Sequence, residues 1–184
     1  MSGEALEAAA LDYLARYAAS TGAVRRVLER RIRRRAADDE EAAQARATLE
    51  TVLAKLVRQG FLDDRRYAAA KAESLARQGR SQRWIRARLA AEGVAPDLIR
   101  AALARLAEGV PQPDLAAAIA FARRRRLGPF RPESQRPAME TKDRAALARA
   151  GFDYRTTRTV LEAASPDALA AVLDAQAPAA SAQR

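Results

Sequence analysis

The sequence has 184 residues, 49% of them apolar and 5% aromatic, and carries 33 basic against 23 acidic residues. It contains no histidine and no cysteine, which excludes disulfides, thiol chemistry, imidazole bases and nearly every zinc site. A net charge of +10 is typical of proteins that bind nucleic acid. Much of the apolar content is alanine, which favours helix but buries little area, so we expect several thin helical units rather than one large core.

Two further global features bear on location and charge. All but three of the basic residues are arginines; a preference for arginine over lysine can reflect genome composition, but it does not explain the excess of positive charge. No apolar run approaches the length that spans a membrane, and no signal-peptide pattern opens the chain. We therefore expect a soluble, cytoplasmic protein without membrane contact.

Residues 4–60 predict three helices. The first runs from about Glu4 to Ala19, and Ser20 or Thr21 caps the second. An acidic stretch at 38–41 suits the N-terminal turn of the third, which Gly60 ends. The expected inward residues are Leu6, Ala10, Tyr13, Leu14 and Tyr17, then Val24, Val27, Leu28 and Ile32, then Leu49, Val52, Leu53, Leu56 and Val57. The arginines crowded between 25 and 35 fit a solvated helix face or a binding surface equally well.

The sequence of residues 60–106 predicts three more helices, each with clear signals for where it starts or ends. Asp63 or Asp64 caps the first, Gly79 ends it and Ser81 caps the second. Gly93 closes the second helix, and Pro96 suits the first turn of the third. Inward positions are Ile85 and Leu89 on the second helix and Ile99, Ala102, Leu103 and Leu106 on the third, with Arg83, Arg86 and Arg88 reaching solvent.

The remainder begins where Pro111 and Pro113 break the helix. Asp114 is predicted to cap a helix that ends in four arginines. A proline-containing loop follows, helices resume near Thr141, and Asp153 caps a helix that carries Val160 and Leu161. A short helix from Pro166 to Leu173 and a frayed tail complete the chain.

An internal repeat organises these elements. The stretch LAAEGVAPDLIRAAL from Leu89 and the stretch LARAGFDYRTTRTVL from Leu147 match at leucine, glycine and apolar positions, 58 residues apart. Both fall at a helix–turn–helix junction, which favours tandem three-helix modules. The expected division is 4–60, 61–109 and 113–164, followed by a partly disordered tail at 165–184.

No catalytic constellation is recognisable in the sequence. Asp63, Asp64 and Glu73 could be imagined as ligands of a divalent ion, but adjacent aspartates point to different faces of a helix start, and capping explains them better. No phosphate-binding glycine loop occurs, because the glycines stand singly at helix ends. We therefore expect no enzyme activity, no cofactor and no metal site.

Arginines form the candidate binding site. No acidic residue lies between Glu73 and Glu92, and the basic residues of this span are expected at the turn between two helices and along one helix flank. Guanidinium groups pair with phosphates or carboxylates, often bidentately. The candidate contacts for a partner or nucleic acid are Arg77, Arg80, Arg83, Arg86, Arg88, Arg123, Arg124, Arg125 and Arg126. Trp84, the single tryptophan, either stacks on a base or fills a seam between modules, and the seam is favoured.

The central motif resembles the RecX family of bacterial recombinase regulators. That family shows a glycine, two apolar residues, an aspartate pair, an aromatic residue and an alanine at this spacing. The matching residues here are Gly60, Phe61, Leu62, Asp63, Asp64, Tyr67 and Ala68, followed by Ile85, Leu89, Gly93 and Val94. The resemblance extends from about Ala5 to Leu161.

The resemblance implies an all-α fold, an elongated, curved array of three tandem three-helix repeats. It implies binding to the RecA filament on single-stranded DNA, within its groove, with inhibition of RecA ATPase, strand exchange and co-protease action. The implied partners are the RecA nucleoprotein filament and single-stranded DNA, with double-stranded DNA as a further candidate, and we expect a monomer. Two departures affect the end modules: an acidic insertion follows Arg33–Arg35, and Thr156 and Thr157 occupy usually apolar positions.

A second hypothesis is an autonomous DNA-binding protein of the helix-turn-helix or architectural kind. The candidate recognition helices lack asparagine or glutamine residues arranged to read bases, apart from Gln82. Selective duplex binding without any recombinase would favour it.

Overall fold

A computed structural model of the chain describes residues 2–108, 110 and 112–175, and the regular secondary structure of this part is all helical. The all-α prediction is therefore confirmed for these residues. They form ten α-helices, with two 3₁₀ turns at Gly128–Phe130 and Glu133–Gln135. The helices are α1 (Gly3–Leu14), α2 (Thr21–Arg35), α3 (Asp39–Arg58), α4 (Asp64–Arg77), α5 (Gln82–Ala91), α6 (Pro96–Ala107), α7 (Pro113–Arg125), α8 (Arg136–Arg149), α9 (Tyr154–Leu161) and α10 (Pro166–Asp174).

The chain forms two compact units. The first contains the residues up to Ala70 together with Leu89–Ile99, and the second contains Lys71–Arg88 together with the residues from Arg100 onward. The boundaries between the units therefore fall inside α4, α5 and α6. Nowhere in the described ranges is a helix long and apolar enough to cross a membrane.

The core of the first unit is built by α1, α2 and α3. Apolar residues three and four positions apart share one helix face, and this spacing buries Val24, Leu28 and Ile32 of α2 completely. On α3 the corresponding residues are Leu49, Val52, Leu53 and Leu56, and they join Leu6 and Ala10 of α1 in one cluster. Val57, expected to face inward, is instead 48% exposed.

The first helix is shorter than its apolar pattern indicates. We expected it to reach Ala19, but α1 ends at Leu14 and the side chain of Tyr17 is exposed. Ser20 adopts an extended conformation, caps α2 through its hydroxyl and also donates that hydroxyl to the carbonyl of Glu92. The residues before Ser20 must leave the helix to bring it there, a tertiary requirement that periodicity does not contain.

The predicted caps and terminating glycines of α4, α5 and α6 are confirmed. Asp63 caps α4, since its carboxylate accepts from the backbone N–H of Arg66 at 2.9 Å. Gly79 and Gly93 adopt φ values of 71° and 80°, in the region that favours glycine. Ser81 caps α5 by accepting from the N–H of Trp84 at 3.1 Å, and Pro96 opens α6.

Helices α7 to α10 build the core of the second unit. Its buried cluster includes Phe121, Leu147, Phe152, Val160 and Leu169. The rings of Phe121 and Phe152 meet edge to face with 6.1 Å between their centroids, an arrangement that the aromatic quadrupole favours. Asp153 and Ser165 cap α9 and α10 as side-chain acceptors, which confirms the predicted cap of α9 and the short helix that follows.

The proline-containing loop before α8 is held by two charged side chains, Asp143 and Arg136, that no local sequence pattern indicates. The buried carboxylate of Asp143 accepts from the N–H of Gly128 at 2.9 Å and from the guanidinium of Arg131 at 3.1 Å. Arg136 donates to three backbone carbonyl groups at 3.0 to 3.3 Å, those of Pro129, Arg131 and Ala164. Helix α8 begins at Arg136 and not near Thr141 as expected, and a proline occupies its first turn, where a missing N–H costs no helical hydrogen bond. From residue 176 onward, the predicted frayed tail lies outside the described residues.

Each unit contains the same hydrogen-bonded junction. In the first, the N–H of Thr21 donates to the carboxylate of Asp64 at 2.7 Å, directly after the cap residue Ser20. In the second, the N–H of Gln82 donates to Asp114, also at 2.7 Å, directly after the cap residue Ser81. An N–H of the first turn has no partner inside its own helix, so an aspartate from a later helix satisfies it.

This junction corrects the predicted role of Asp114. We expected Asp114 to cap its own helix, but Gln112 is the N-cap residue of α7 and makes no side-chain capping bond. The carboxylate instead accepts from Gln82, 32 residues earlier in the chain. A local sequence pattern cannot distinguish an aspartate that serves its own helix from one that serves another.

Asp114→Ala should destabilise the protein by about 1.5–3 kcal/mol, because it removes a hydrogen bond to a charged acceptor and leaves a partly buried N–H without a partner. Asp63→Ala, which removes an exposed helix cap, should cost about 1 kcal/mol. Urea unfolding of both variants measures the difference. A smaller loss for Asp114→Ala than for Asp63→Ala would contradict the assigned role.

Candidate functional site

All nine predicted binding arginines lie in the second unit. Eight of them are exposed, and Arg80 is half-buried. They occupy three places: the C-terminal end of α4 and the turn after it, the helix α5, and the C-terminal end of α7.

The C-terminal ends of α4 and α7 meet at Gly79. The guanidinium of Arg124 donates to the carbonyl of Arg77 at 2.9 Å and to the carbonyl of Gln78. A cation stabilises the unpaired carbonyls and the negative dipole at a helix C-terminus. A Cβ at Gly79 would lie 3.0 Å from the Cβ of Phe121, so glycine permits this approach. Arg77 and Arg124 are brought together, but part of the Arg124 guanidinium is engaged within the protein.

Trp84 is packed inside the second unit. Its side chain is half-buried, and a Cβ added at Gly151 would lie 2.9 Å from the Cβ of Trp84. The guanidinium of Arg80 lies over the indole ring, 4.6 Å from its centroid, a favourable cation–π arrangement. This packing against the α8–α9 turn favours the seam interpretation, and Arg80 covers one face of the ring.

The arginines of α5 do not share one flank. Residues on an α-helix are about 100° apart around its axis, so Arg86 and Arg88 point about 160° away from each other. Ile85 and Leu89 are buried between these two directions. The predicted single flank is therefore wrong: Arg83 and Arg86 can contact one extended ligand, and Arg88 lies on the other side of the helix.

Three of the four arginines at the end of α7, Arg123, Arg124 and Arg125, contact neighbouring groups. The guanidinium of Arg123 lies 5.7 Å from the ring centroid of Phe130, and that of Arg125 lies 5.1 Å from the ring centroid of Phe121. Arg126 ends the helix with a left-handed φ of 54°, a conformation uncommon outside glycine. All four remain exposed, so they add positive charge to this surface while also supporting the fold.

Two carboxylates lie beside the start of α5, although its sequence neighbourhood contains none. Asp114 accepts from the N–H of Gln82. Hydrogen bonds from the backbone N–H and side chain of Thr156 lower the pKa of Asp153, and the charges of Arg155 and Arg83 lower it further. The positive surface around Arg83 therefore includes a compensating negative charge that only the fold reveals.

The stability of the second unit should depend on pH through Asp153. Because its pKa in the folded protein is lowered, the charged form stabilises the fold above the ordinary aspartate pKa of about 3.9, and this contribution is lost as the pH falls through the lowered value. The thermal midpoint of Asp153→Asn, which can cap without titrating, should fall less than that of the natural protein below about pH 4. Thermal midpoints that fall equally in the variant and the natural protein below about pH 4 would contradict this expectation.

The three carboxylates considered as metal ligands have separate structural partners. Asp63 caps α4, Asp64 accepts from Thr21, and Glu73 lies 3.6 Å from the guanidinium of Arg105. Among the residues that the structure describes, no group of three or more acidic side chains is placed to hold a metal ion. The exposed arginines of the second unit offer guanidinium groups, which pair with phosphates and carboxylates.

Comparison with known proteins identifies the family. The family described as "RecX, second three-helix domain" matches residues 63–103. The chain is similar to "Regulatory protein RecX" of Myxococcus xanthus (strain DK1622), with 42% identity over 85% of this chain and 84% of that one. It is also similar to the protein of the same name from Agrobacterium fabrum (strain C58 / ATCC 33970), with 34% identity over 58% of this chain and 55% of that one.

Solved structures share the fold. The crystal structure of RecX from Lactobacillus salivarius matches with a TM-score of 0.55 at 16% identity, over 87% of this chain and 94% of that one. A second structure, described as a crystal structure of regulatory protein RecX, matches with a TM-score of 0.57 at 22% identity, over 86% of this chain and 70% of that one. These two structures show the fold, and the 42% identity to the relative from Myxococcus xanthus shows that the chain belongs to the RecX family of regulatory proteins.

Proposed function

We propose that this protein binds the RecA filament on single-stranded DNA and inhibits its ATPase, strand exchange and co-protease activities. The observation that carries the proposal is the 42% identity to a regulatory protein RecX over 84% of that protein's length. The exposed arginines of the second unit support it, since a filament of protein and DNA offers both phosphates and acidic side chains. The protein would act in the cytoplasm, as a monomer and by binding alone.

The arginines suit a contact that does not depend on base sequence. Charge-assisted pairing with phosphate is strong and releases condensed counterions, so it weakens steeply as salt is added. Arg83 and Arg86 lie on one side of α5, and Arg77 lies near Arg124 at the end of α4. We propose that these two groups are the main contacts with the filament.

A titration of RecA ATP hydrolysis tests the proposal. Increasing amounts of the protein are added to RecA on single-stranded DNA at salt concentrations of about 50 and 200 mM. Hydrolysis should fall to a plateau at both salt concentrations, and half-maximal inhibition should require more protein at the higher one. Undiminished hydrolysis at the lower salt, with the protein in excess, would refute the proposal. Adding the protein before or after filament assembly separates end capping from groove blocking and filament destabilisation.

Direct DNA binding without a recombinase is the second candidate. The exposed arginines of α5, a helix capped by Ser81 within a helix–turn–helix arrangement, favour it. An autonomous regulator should discriminate between duplex sequences, whereas phosphate contacts alone should not. Binding to a panel of duplexes of equal length distinguishes the two candidates.

A further inference from the structure

Tyr154 is an exposed aromatic residue that the arginine surface does not account for. It is the first residue of α9, and its side chain is 64% exposed, more than that of the other large apolar residues in the described ranges. A single exposed apolar side chain is common and indicates nothing by itself. The groups that surround this ring distinguish it.

One arginine lies against the ring, and two others lie near the residue before it. The guanidinium of Arg144, from α8, is 5.8 Å from the centroid of Tyr154. The charges of Arg155, the next residue in the chain, and of Arg83 both act on Asp153, the residue before Tyr154. Two acidic groups lie nearby: Glu140 pairs with Arg144 at 2.5 Å, and Asp153 stays charged while it accepts from the N–H of Thr156 at 2.7 Å.

Tyr154 follows a turn that packs against α5. Gly151 packs against Ser81 and Trp84, and three residues of chain extend at most about 11 Å. The Cα atom of Tyr154 is therefore within about 11 Å of the Cα atom of Gly151, the residue in contact with α5. An aromatic ring in a positively charged surface is the combination that binds single-stranded nucleic acid, where bases stack on the ring while cations hold the phosphates.

We propose that Tyr154 is a stacking platform for an unpaired base of single-stranded nucleic acid, whose adjacent phosphates bind Arg83 and Arg155. The inference rests on the proposed function, because it assigns the DNA a position on the second unit. A base must be unpaired and unstacked to reach the ring, so the site selects single strands over duplex. It tolerates any base, since every base has a π face. An acidic protein partner would engage the arginines without requiring the ring.

Direct binding of a fluorescent homothymidine oligonucleotide, measured by anisotropy without RecA, tests the platform. Tyr154→Ala should weaken binding about 5- to 150-fold, the range for loss of one base–aromatic stack. Tyr154→Phe, which keeps the ring, should bind within about twofold of the natural protein. Tyr17→Ala is the matched control, because Tyr17 is a similarly exposed tyrosine, at 57%, in the first unit, and it should change nothing.

Two further measurements separate stacking from charge. Tyr154→Ala should leave the salt dependence of binding unchanged, whereas Arg83→Ala with Arg155→Ala should reduce the slope of log K against log salt by about 1.4. An oligonucleotide with abasic sites should bind the natural protein as weakly as homothymidine binds Tyr154→Ala. Replacing homothymidine by this abasic strand should cost Tyr154→Ala little additional affinity.

Several outcomes would overturn the inference. Unchanged homothymidine affinity in Tyr154→Ala, or an equal preference for bases over abasic sites in both proteins, would refute stacking. Weakened RecA inhibition in Tyr154→Ala with unchanged DNA affinity would assign the ring to a protein contact instead. Natural protein that fails to bind single strands at low salt would also refute it. Binding to single strands without any effect on RecA ATP hydrolysis would refute the proposed function and leave the platform standing.

Discussion

Replacement of Arg77, Arg80, Arg83 and Arg86 by alanine should abolish inhibition of RecA ATP hydrolysis while leaving the helices intact. Each phosphate contact contributes about 0.7 to the salt slope for a single strand, so the three exposed arginines, Arg77, Arg83 and Arg86, contribute about 2.1. Between about 50 and 200 mM salt, the natural protein should therefore lose about 20-fold more affinity than the variant. Circular dichroism should show unchanged helix content.

The matched control removes four exposed arginines from the first unit: Arg16, Arg46, Arg58 and Arg66. It makes the same change in net charge and should retain most of the inhibition. Arg80 covers the ring of Trp84, so a smaller variant, Arg83→Ala with Arg86→Ala, separates loss of charge from loss of packing. Equal inhibition by the natural protein and the quadruple variant would remove these residues from the interface.

Gly151→Ala should destabilise the protein by about 2–5 kcal/mol, a large part of the stability of a domain. Two costs add together. The residue has a φ of 94°, and a side chain in left-handed conformations costs about 1–2 kcal/mol. The new Cβ would also overlap the hydroxyl oxygen of Ser81 and lie 2.9 Å from the Cβ of Trp84, and overpacking of this kind costs about 1–3 kcal/mol.

Gly60→Ala is the control that separates the two costs. Gly60 has a similar positive φ of 77°, but nothing lies within 4 Å of a Cβ at that position. It should therefore show the conformational cost alone, about 1–2 kcal/mol. Urea unfolding of both variants gives the cost of packing as their difference. Equal destabilisation would mean that the turn before α9 does not press against Ser81 and Trp84.

Local signals predicted most of the helix boundaries because capping and helix termination depend on a few adjacent residues. Asp63, Ser81 and Asp153 accept from the N–H groups that their positions indicate. The end of α1 and the start of α8 were not predicted, and residues beside both make contacts that are distant in sequence: Ser20 with the carbonyl of Glu92, and Arg136 with that of Ala164. The division at 4–60, 61–109 and 113–164 stays a prediction.

The sequence predicted which residues form the candidate site, but it did not predict how they are arranged in space. A run of arginines without acidic residues identified α5 and the end of α7. The sequence could not show that Asp153 approaches Arg83 or that Arg124 caps α4, because these contacts join residues far apart in the chain. Tyr154 carried no signal at all, since a tyrosine after a helix cap is as compatible with burial as with exposure.

The duplicated junction ties the start of a helix to an element that comes later in the chain. Thr21 and Gln82 each donate an amide proton to an aspartate of a later helix. Helix α8 begins differently, because its N-cap residue Gln135 makes no side-chain capping bond and Pro137, in its first turn, has no amide proton. The first turn of α8 therefore offers one donor fewer to such a partner than the first turns of α2 and α5.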